Sequence, residues 1–422
     1  MKSRHQNNMR KLLQKILKIL SILVLQKYKP IVIAITGSVG KTSTKEAIFS
    51  VLKNHFGEQR IRKNERNYNN EIGVPLTIFG IESGGRSILK WIPRFIKIFW
   101  MIIFRVPYPD FLVLEMGADR PGDLKYLLNF VHHKVGIVTA VGEIPVHVEF
   151  FETPEKVAEE KKTMVKMLNK DGIAILNYDD EKVRKMAEKI DAKVIYYGLD
   201  EKADVKATNY NLELNPANSQ MTSELNFKLD FRGSSVPAKL YNVLGTQHLY
   251  SALAAAAVGI VFNLNLVDIS EGIKQIKSLP GRMRLVKGVK NTLIIDDTYN
   301  AALLSMERGM DALKVFEDKR KIAILGDMLE IGKYAPEAHI RVGKKAAEVA
   351  DLIFAVGDRA GFIKEGAISV GFPTEKIFEF SNSAEAAKPV ERELKEGDVI
   401  FIKGSRAMKM EKIIEEIIVP TQ

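Results

Sequence analysis

The chain contains no cysteine, which excludes disulfides and thiolate metal ligands and suits a reducing compartment. It also lacks any apolar run approaching the roughly 20 residues that a membrane-spanning helix needs. The stretches Ile19–Leu25 and Ile98–Phe104 both stop well short of that length. Internal repeats and low-complexity tracts are absent. Acidic residues are missing where basic ones gather: residues 1–30 hold eight Lys or Arg and no Asp or Glu, and residues 82–108 hold five against one. The remaining chain is close to neutral, although the formal net charge is +11 over 422 residues. A nucleic-acid protein would more commonly spread its basic surface over the folded body, so nucleic acid is not an expected partner. Basic excess confined to two apolar-rich stretches points instead to a membrane surface.

What those stretches contain supports this. In "MRKLLQKILKILSILVLQKYKP", Lys11, Lys15 and Lys18 share one helix face, while Leu13, Ile16, Leu17 and Leu20 fall on the other. "LKWIPRFIKIFWMIIFRVP" repeats the spacing with Lys90, Arg94 and Lys97, and Pro93 suits a first helical turn. The expectation is that 9–27 and 91–104 lie in a headgroup boundary, with Trp91 and Trp100 at the interface. Packing of both helices on each other or on the core is the alternative. No small-residue cleavage site follows the first stretch, so a cleaved signal peptide is not expected.

From residue 31 onward, short β-branched runs ("PIVIAI", "FLVLEM", "GIAILN", "TLIIDD", "KIAILGD", "VIFIKGS") alternate with helical patterns. Strands buried on both faces read this way, which predicts an α/β fold built on parallel sheets. Between about 204 and 242 the pattern becomes alternating and polar, as in an antiparallel excursion. "SLPGRMRLVKG" is a plausible hinge, after which the α/β pattern restarts. The expected division is a basic helix over 1–30, an ATP-binding domain over 31–281 with an amphipathic insertion at 84–108, and a C-terminal domain over 282–422.

The ATP assignment rests on "AITGSVGKTSTKEA", residues 34–47. A strict phosphate-loop box would need glycine at position 35, where Ile35 stands. The physics of such a loop is nevertheless present. Gly37 and Gly40 let backbone N–H groups, including those of Thr36, Ser38 and Ser43, approach phosphate oxygens at a helix N-terminus. Lys41 can reach terminal phosphates and the Thr42 hydroxyl can hold Mg²⁺.

The T-G-[ST]-x-G-K-T form of this loop resembles that of the Mur ligases. "NYNNEIGVPLT", "LVLEMGADRPGDL", "GRMR", "IIDDTYNA", "AILGDMLEIG" and "IKGSRAM" follow in the order of the MurF-type branch, across about residues 31–415. The resemblance implies a P-loop parallel-sheet domain followed by a Rossmann-like α/β domain. It implies an enzyme, an ATP-dependent amide ligase that joins D-alanyl-D-alanine or a related amine to a muramoyl-peptide precursor through an acyl phosphate. ATP and Mg²⁺ are the implied cofactors, and the implied place is the cytoplasm, with the inner face of the plasma membrane as a peripheral station. Lys41, Lys161 and His147 are the implied catalytic residues, Lys161 matching the lysine that Mur ligases carbamylate. Thr42, Glu115, His147 and Lys161 are the implied metal set, and His248, Arg282, Asp297, Tyr299 and Asn300 join the loop around ATP. Asn67, Asn69, Asn70, Lys403 and Arg406 are the implied substrate contacts.

The resemblance has three departures. Only about 35 residues precede the loop, where the family carries a domain that grips a UDP-sugar. The family's G-x-H-N-x-x-N-A motif is "GTQHLYSA" here, and its "YNANPxS" is "YNAALLS". Two alternatives therefore stand: a ligase for a different carboxylate, including a lipid-linked one, or a membrane-associated scaffold with a degenerate ATPase.

Overall fold

A computed structural model describes residues 2–65, 67–85, 87–217 and 220–419. Arg86, one of the basic residues counted above, lies outside them. The β-branched runs form two sheets. The first contains β1 (Ile31–Thr36), β2 (Ile61–Lys63), β3 (Phe111–Glu115), β4 (Val135–Val138), β5 (Ile173–Asn177), β6 (Lys193–Gly198), β7 (Val205–Ala217), β8 (Gln220–Phe231) and β9 (Ser234–Tyr241). Their order is β2-β3-β1-β4-β5-β6-β7-β8-β9. All pairs from β2 to β7 are parallel, and β7, β8 and β9 are antiparallel. The second sheet contains β10 (Arg284–Lys287), β11 (Leu293–Asp297), β12 (Lys321–Gly326), β13 (Leu352–Val356), β14 (Ile377–Phe380) and β15 (Val399–Lys403). It runs β10-β11-β15-β12-β13-β14, parallel except for β10.

Strands such as β1 and β3 are buried nearly throughout because helices cover both faces of the first sheet. On one face, α2 (Lys41–Phe56) lies against helix Gln247–Val261, whose Ala252–Ala257 run is fully buried and lets the two axes approach closely. The opposite face carries α1 (Lys2–Tyr28), α3 (Gly73–Phe79), α4 (Ile88–Ile103) and helix Pro154–Lys166. With β1 and β3 side by side, their C-terminal residues Thr36 and Glu115 open onto the same end of the sheet.

The two basic amphipathic stretches are thus α1 and α4, and both bury one side. Leu17, Leu20, Ser21 and Val24 of α1 are buried, as are Trp91, Ile98 and Met101 of α4. This corrects the interfacial placement of Trp91, which is 7% exposed: its indole N–H donates to the Gly85 carbonyl (3.2 Å). Trp100 is 56% exposed. The basic faces also divide. Lys18 sits over the Tyr126 ring (5.1 Å), and Arg94 donates to the carbonyls of Glu82 (2.6 Å) and Ser83 (3.2 Å). Lys11 and Lys15 remain exposed.

Candidate active site

The loop between β1 and α2 needs glycine for a steric reason. Gly37 has φ +147°, and a Cβ there would fall 2.0 Å from the Thr139 hydroxyl oxygen. With no side chain, the loop lies flat against the end of β4, where Ser38 N–H donates to the Ala140 carbonyl (2.7 Å). Gly40, also left-handed at φ +88°, turns the chain into α2. Thr36 is buried and its hydroxyl donates to the Met116 carbonyl (3.1 Å), tying the loop's start to the end of β3. Lys41 folds back onto the Gly37 carbonyl (2.8 Å), and burial lowers its pKa. The Ser38 hydroxyl is buried without a hydrogen-bond partner among the described residues, and Ser43 is half-buried on the first turn of α2.

Thr42 is the centre of the polar cluster. Its hydroxyl donates to Glu115 Oε2 (2.9 Å) and accepts from Arg282 Nη2 (2.9 Å). Glu115 is 4% exposed, and its Oε1 accepts from Asn69 (3.2 Å). Its backbone N–H donates to Asn64, whose own carbonyl takes the buried Lys45 ammonium (2.7 Å). Asn70 caps the next turn by accepting from Gly73 N–H (3.0 Å). Asn67 accepts from the Tyr299 hydroxyl, and the Arg282 guanidinium lies over the Tyr299 ring (4.2 Å). One chain of contacts thus joins the first sheet to the second.

His147 forms a second bridge. Its backbone is left-handed (φ +69°). Its Nε2 is 3.3 Å from Asp119 and its Nδ1 2.7 Å from Glu330, itself left-handed (φ +62°). Burial is the main cause that lowers the His147 pKa. Lys161, on helix Pro154–Lys166, is 1% exposed and forms no salt bridge among the described residues. Burial first, and the nearby Lys41 charge second, lower its pKa to about 7. A neutral amine at physiological pH is the nucleophilic form that carbamylation requires.

Hard oxygen donors at Thr42 and Glu115 fit Mg²⁺, which commonly takes one or two protein oxygens and completes its shell with phosphate and water. Among the described residues no three His, Asp or Glu side chains converge as a ready-made cage.

The remaining candidates divide. Asp297 and Lys403 are direct register partners on β11 and β15, and Lys403 donates to Asp297 Oδ2 (2.5 Å) and to the Asn300 carbonyl (2.8 Å). Both are buried, so Lys403 is engaged inside the second sheet rather than open to a dipeptide. Burial raises the Asp297 pKa against the pull of Lys403. Arg406 is exposed, pairs with Glu411 (3.2 Å) and stands 6.0 Å from the Tyr299 ring; Asn300 is exposed beside it. His248 has a buried Nε2 with no hydrogen-bond partner among the described residues, and burial lowers its pKa to about 4. Sequence reading missed Asp119, Glu330, Asn64 and Lys45. The first two stand in "GADRPGDL" and "GDMLEIG", where an acid just beyond a strand end was the available signal. None of the loop residues, Glu115, His147 or Lys161 lines the cavity of about 1450 Å³ between the sheets, which basic residues such as Lys53, Lys274 and Arg284 border.

Two family models match the chain. The Mur ligase middle domain covers 35–89 and 102–259, breaking inside α4, and the Mur ligase glutamate ligase domain covers 281–406. The UDP-N-acetylmuramoyl-tripeptide–D-alanyl-D-alanine ligase of Bacillus subtilis is 28% identical over 396 residues, 93% of this chain and 77% of that protein. Among solved structures, MurF from Acinetobacter baumannii superposes with a TM-score of 0.77 at 26% identity, covering 96% of this chain and 80% of that one. MurF from Thermotoga maritima, in complex with ADP, gives 0.75 at 26% identity, with 96% and 83% covered.

Proposed function

The chain belongs to the Mur ligase family and is an ATP-dependent ligase; from that premise we propose that it joins D-alanyl-D-alanine to the terminal carboxylate of a muramoyl-tripeptide. The observation that carries the reading is the Arg282–Thr42–Glu115 chain, which brings a residue from the segment leading into the second sheet onto the phosphate loop of the first. A ligase that must hold ATP, a carboxylate and an amine together needs such a junction, and a stand-alone ATPase does not.

In this reading the acceptor carboxylate takes the γ-phosphoryl group of ATP. The dipeptide amine then displaces phosphate from the acyl phosphate. Two anions must meet for the first step, so neutralising charge is the main catalytic requirement. Thr42 and Glu115 would hold the Mg²⁺ whose chemistry is to screen the phosphates, with His147 and a carbamylated Lys161 as further donors. Lys41, released from the Gly37 carbonyl, would bind the terminal phosphates, and the Thr36–Ser43 backbone the remainder. Arg282, Tyr299, Asn300 and Asp297 approach from the second sheet, and His248 lies on the adenine side. Asn67, Asn69 and Asn70 orient the acceptor, while Arg406 receives the dipeptide carboxylate. The working division is 31–281 for ATP and acceptor, and 282–422 for the closing domain, pivoting near Gly281. The cytoplasm is the compartment that fits these substrates, with 9–27 and 91–104 meeting the inner face of the membrane.

The test is phosphate release from Mg-ATP in the presence of UDP-linked muramoyl-tripeptide and D-alanyl-D-alanine, with a mass measurement of the pentapeptide product. Lys41→Ala should lower turnover by at least about 10²-fold. Ligation by that variant at the normal rate would remove the phosphate loop from the mechanism.

A further inference from the structure

Two apolar helix stripes are exposed on the folded body. On α1, Met9, Leu12, Ile16, Ile19 and Leu23 are exposed at alternating spacings of three and four residues, which is one helical stripe. On α4, Leu89, Ile92, Ile96, Phe99, Trp100 and Ile103 repeat it. The stripes are separate from the buried sides of the same helices, so burial in the core does not account for them. The helices are also joined at their ends. Lys27 donates to the carbonyls of Met101 (3.0 Å), Ile102 (3.0 Å) and Phe104 (2.6 Å), and the Tyr28 hydroxyl to Met101 (3.0 Å). Lys27 thereby satisfies the free carbonyls at the α4 C-terminus.

The chemistry beside the stripes selects their occupant. Segments 8–29 and 87–108 contain no acidic residue, while Arg10, Lys11, Lys15, Lys90, Lys97 and Arg105 are exposed along them. A second copy docking here would set like charges against one another. An anionic lipid surface accepts both features, the apolar stripe in the acyl boundary and the cations among the headgroups. Neither helix is long and apolar enough to cross a membrane.

The surface connects to the site. Arg94 and Lys97 of α4 hold the carbonyls of Gly80, Glu82 and Ser83, and Ser83 N–H donates to the Tyr68 hydroxyl (3.1 Å). Tyr68 lies between Asn67 and Asn69, the latter bonded to Glu115. A cavity of about 480 Å³, bordered by Arg62, Tyr68, Ile81 and Glu82, opens along this path.

We propose that α1 and α4 form a single docking platform for an anionic bilayer, and that the platform holds the acceptor loop so that a lipid-borne carboxylate reaches the site. The acceptor half rests on the ligase reading; the docking half does not.

The experiment floats the full chain with phosphatidylcholine vesicles, with and without phosphatidylglycerol, and follows tryptophan emission. Trp91 and Trp100 are the chain's two tryptophans. We expect flotation with the anionic vesicles and a blue shift that Trp100→Phe removes. The double variant Ile96→Glu, Phe99→Glu should stay in the soluble fraction with an unchanged thermal melt. A wild type that does not float, or a double variant that floats equally well, overturns the docking. A lipid-insensitive dimer that the double variant splits would assign the stripes to a second copy and also overturn it. For the acceptor, phosphate release is compared with muramoyl-tripeptide on a lipid in vesicles and on UDP in solution. The double variant should lose about 10-fold or more with the vesicle substrate and little with the soluble one. Equal loss with both, or with neither, overturns the acceptor half. Silence of the wild type with both acceptors defeats the ligase reading and that half with it, while flotation decides the docking by itself.

Discussion

Lys161 and Trp100 both break the ordinary rules of burial, in opposite directions: a lysine 1% exposed and a tryptophan 56% exposed. Around Lys161, charged and polar groups are gathered inside the protein and held by specific bonds, as at Glu115 and Thr42. Around Trp100, large apolar groups face outward. The first arrangement has its meaning inside the site, where low solvent access strengthens every charge interaction. The second has its meaning only against something outside the chain. Misplacement of either sign marks function, and the sign tells whether the missing partner is a small ligand or a surface.

Substitutions that restore ordinary burial should separate the two regions. Lys161→Met should lower phosphate release by about 10²-fold or more, since it removes a buried group placed against the phosphate loop. The same change should raise the melting temperature. For the uncarbamylated side chain, the folded pKa of Lys161 is near 7, below its ordinary 10.5, so between those values the unfolded chain binds a proton that the folded chain lacks. Wild-type stability therefore rises with pH across that window. The advantage of Lys161→Met should be greatest at and below pH 7 and fade toward pH 10.5, as calorimetry across the range would show. A variant less stable than wild type at pH 7 would count against a strained buried amine.

Thr42→Val keeps the size of the side chain but removes the hydroxyl between Arg282 and Glu115. It should cost about 10-fold to 10²-fold in kcat, with a raised KM for Mg-ATP. An unchanged steady-state profile would show that the hydroxyl is a bystander. The smallest effects belong to α1. Leu17→Ala, on the buried side, should destabilise by about 2–4 kcal/mol in urea unfolding. Ile19→Ala, two residues on and 59% exposed, should change stability by less than about 0.5 kcal/mol and weaken vesicle flotation instead. Equal destabilisation by both would mean that the stripe is part of the core.

The fold was legible because its signals are local: a buried strand declares itself in four to six residues, and the phosphate loop in eight. The candidate site was legible as a set of names, not as a set of roles. Asp297 and Lys403 stand 106 residues apart in sequence yet face each other across neighbouring strands, so Lys403 reads as a free cation until the sheet order is known. His147 meets Glu330 for the same reason, across both sheets. Trp91 and Trp100 could not be told apart because each amphipathic helix has two apolar faces. Periodicity finds both faces, but only the neighbours decide which one is covered.

The carbonyls that Lys27 holds at the end of α4 tie together two segments that are distant in the sequence, and the middle-domain match breaks at 90–101, within α4. Leu17, Leu20 and Val24 of α1 and Ile98 and Met101 of α4 belong to the same buried apolar cluster. Neither segment keeps the Lys27 bonds without the other. They should be inherited as one character, present together or missing together in every lineage of these enzymes.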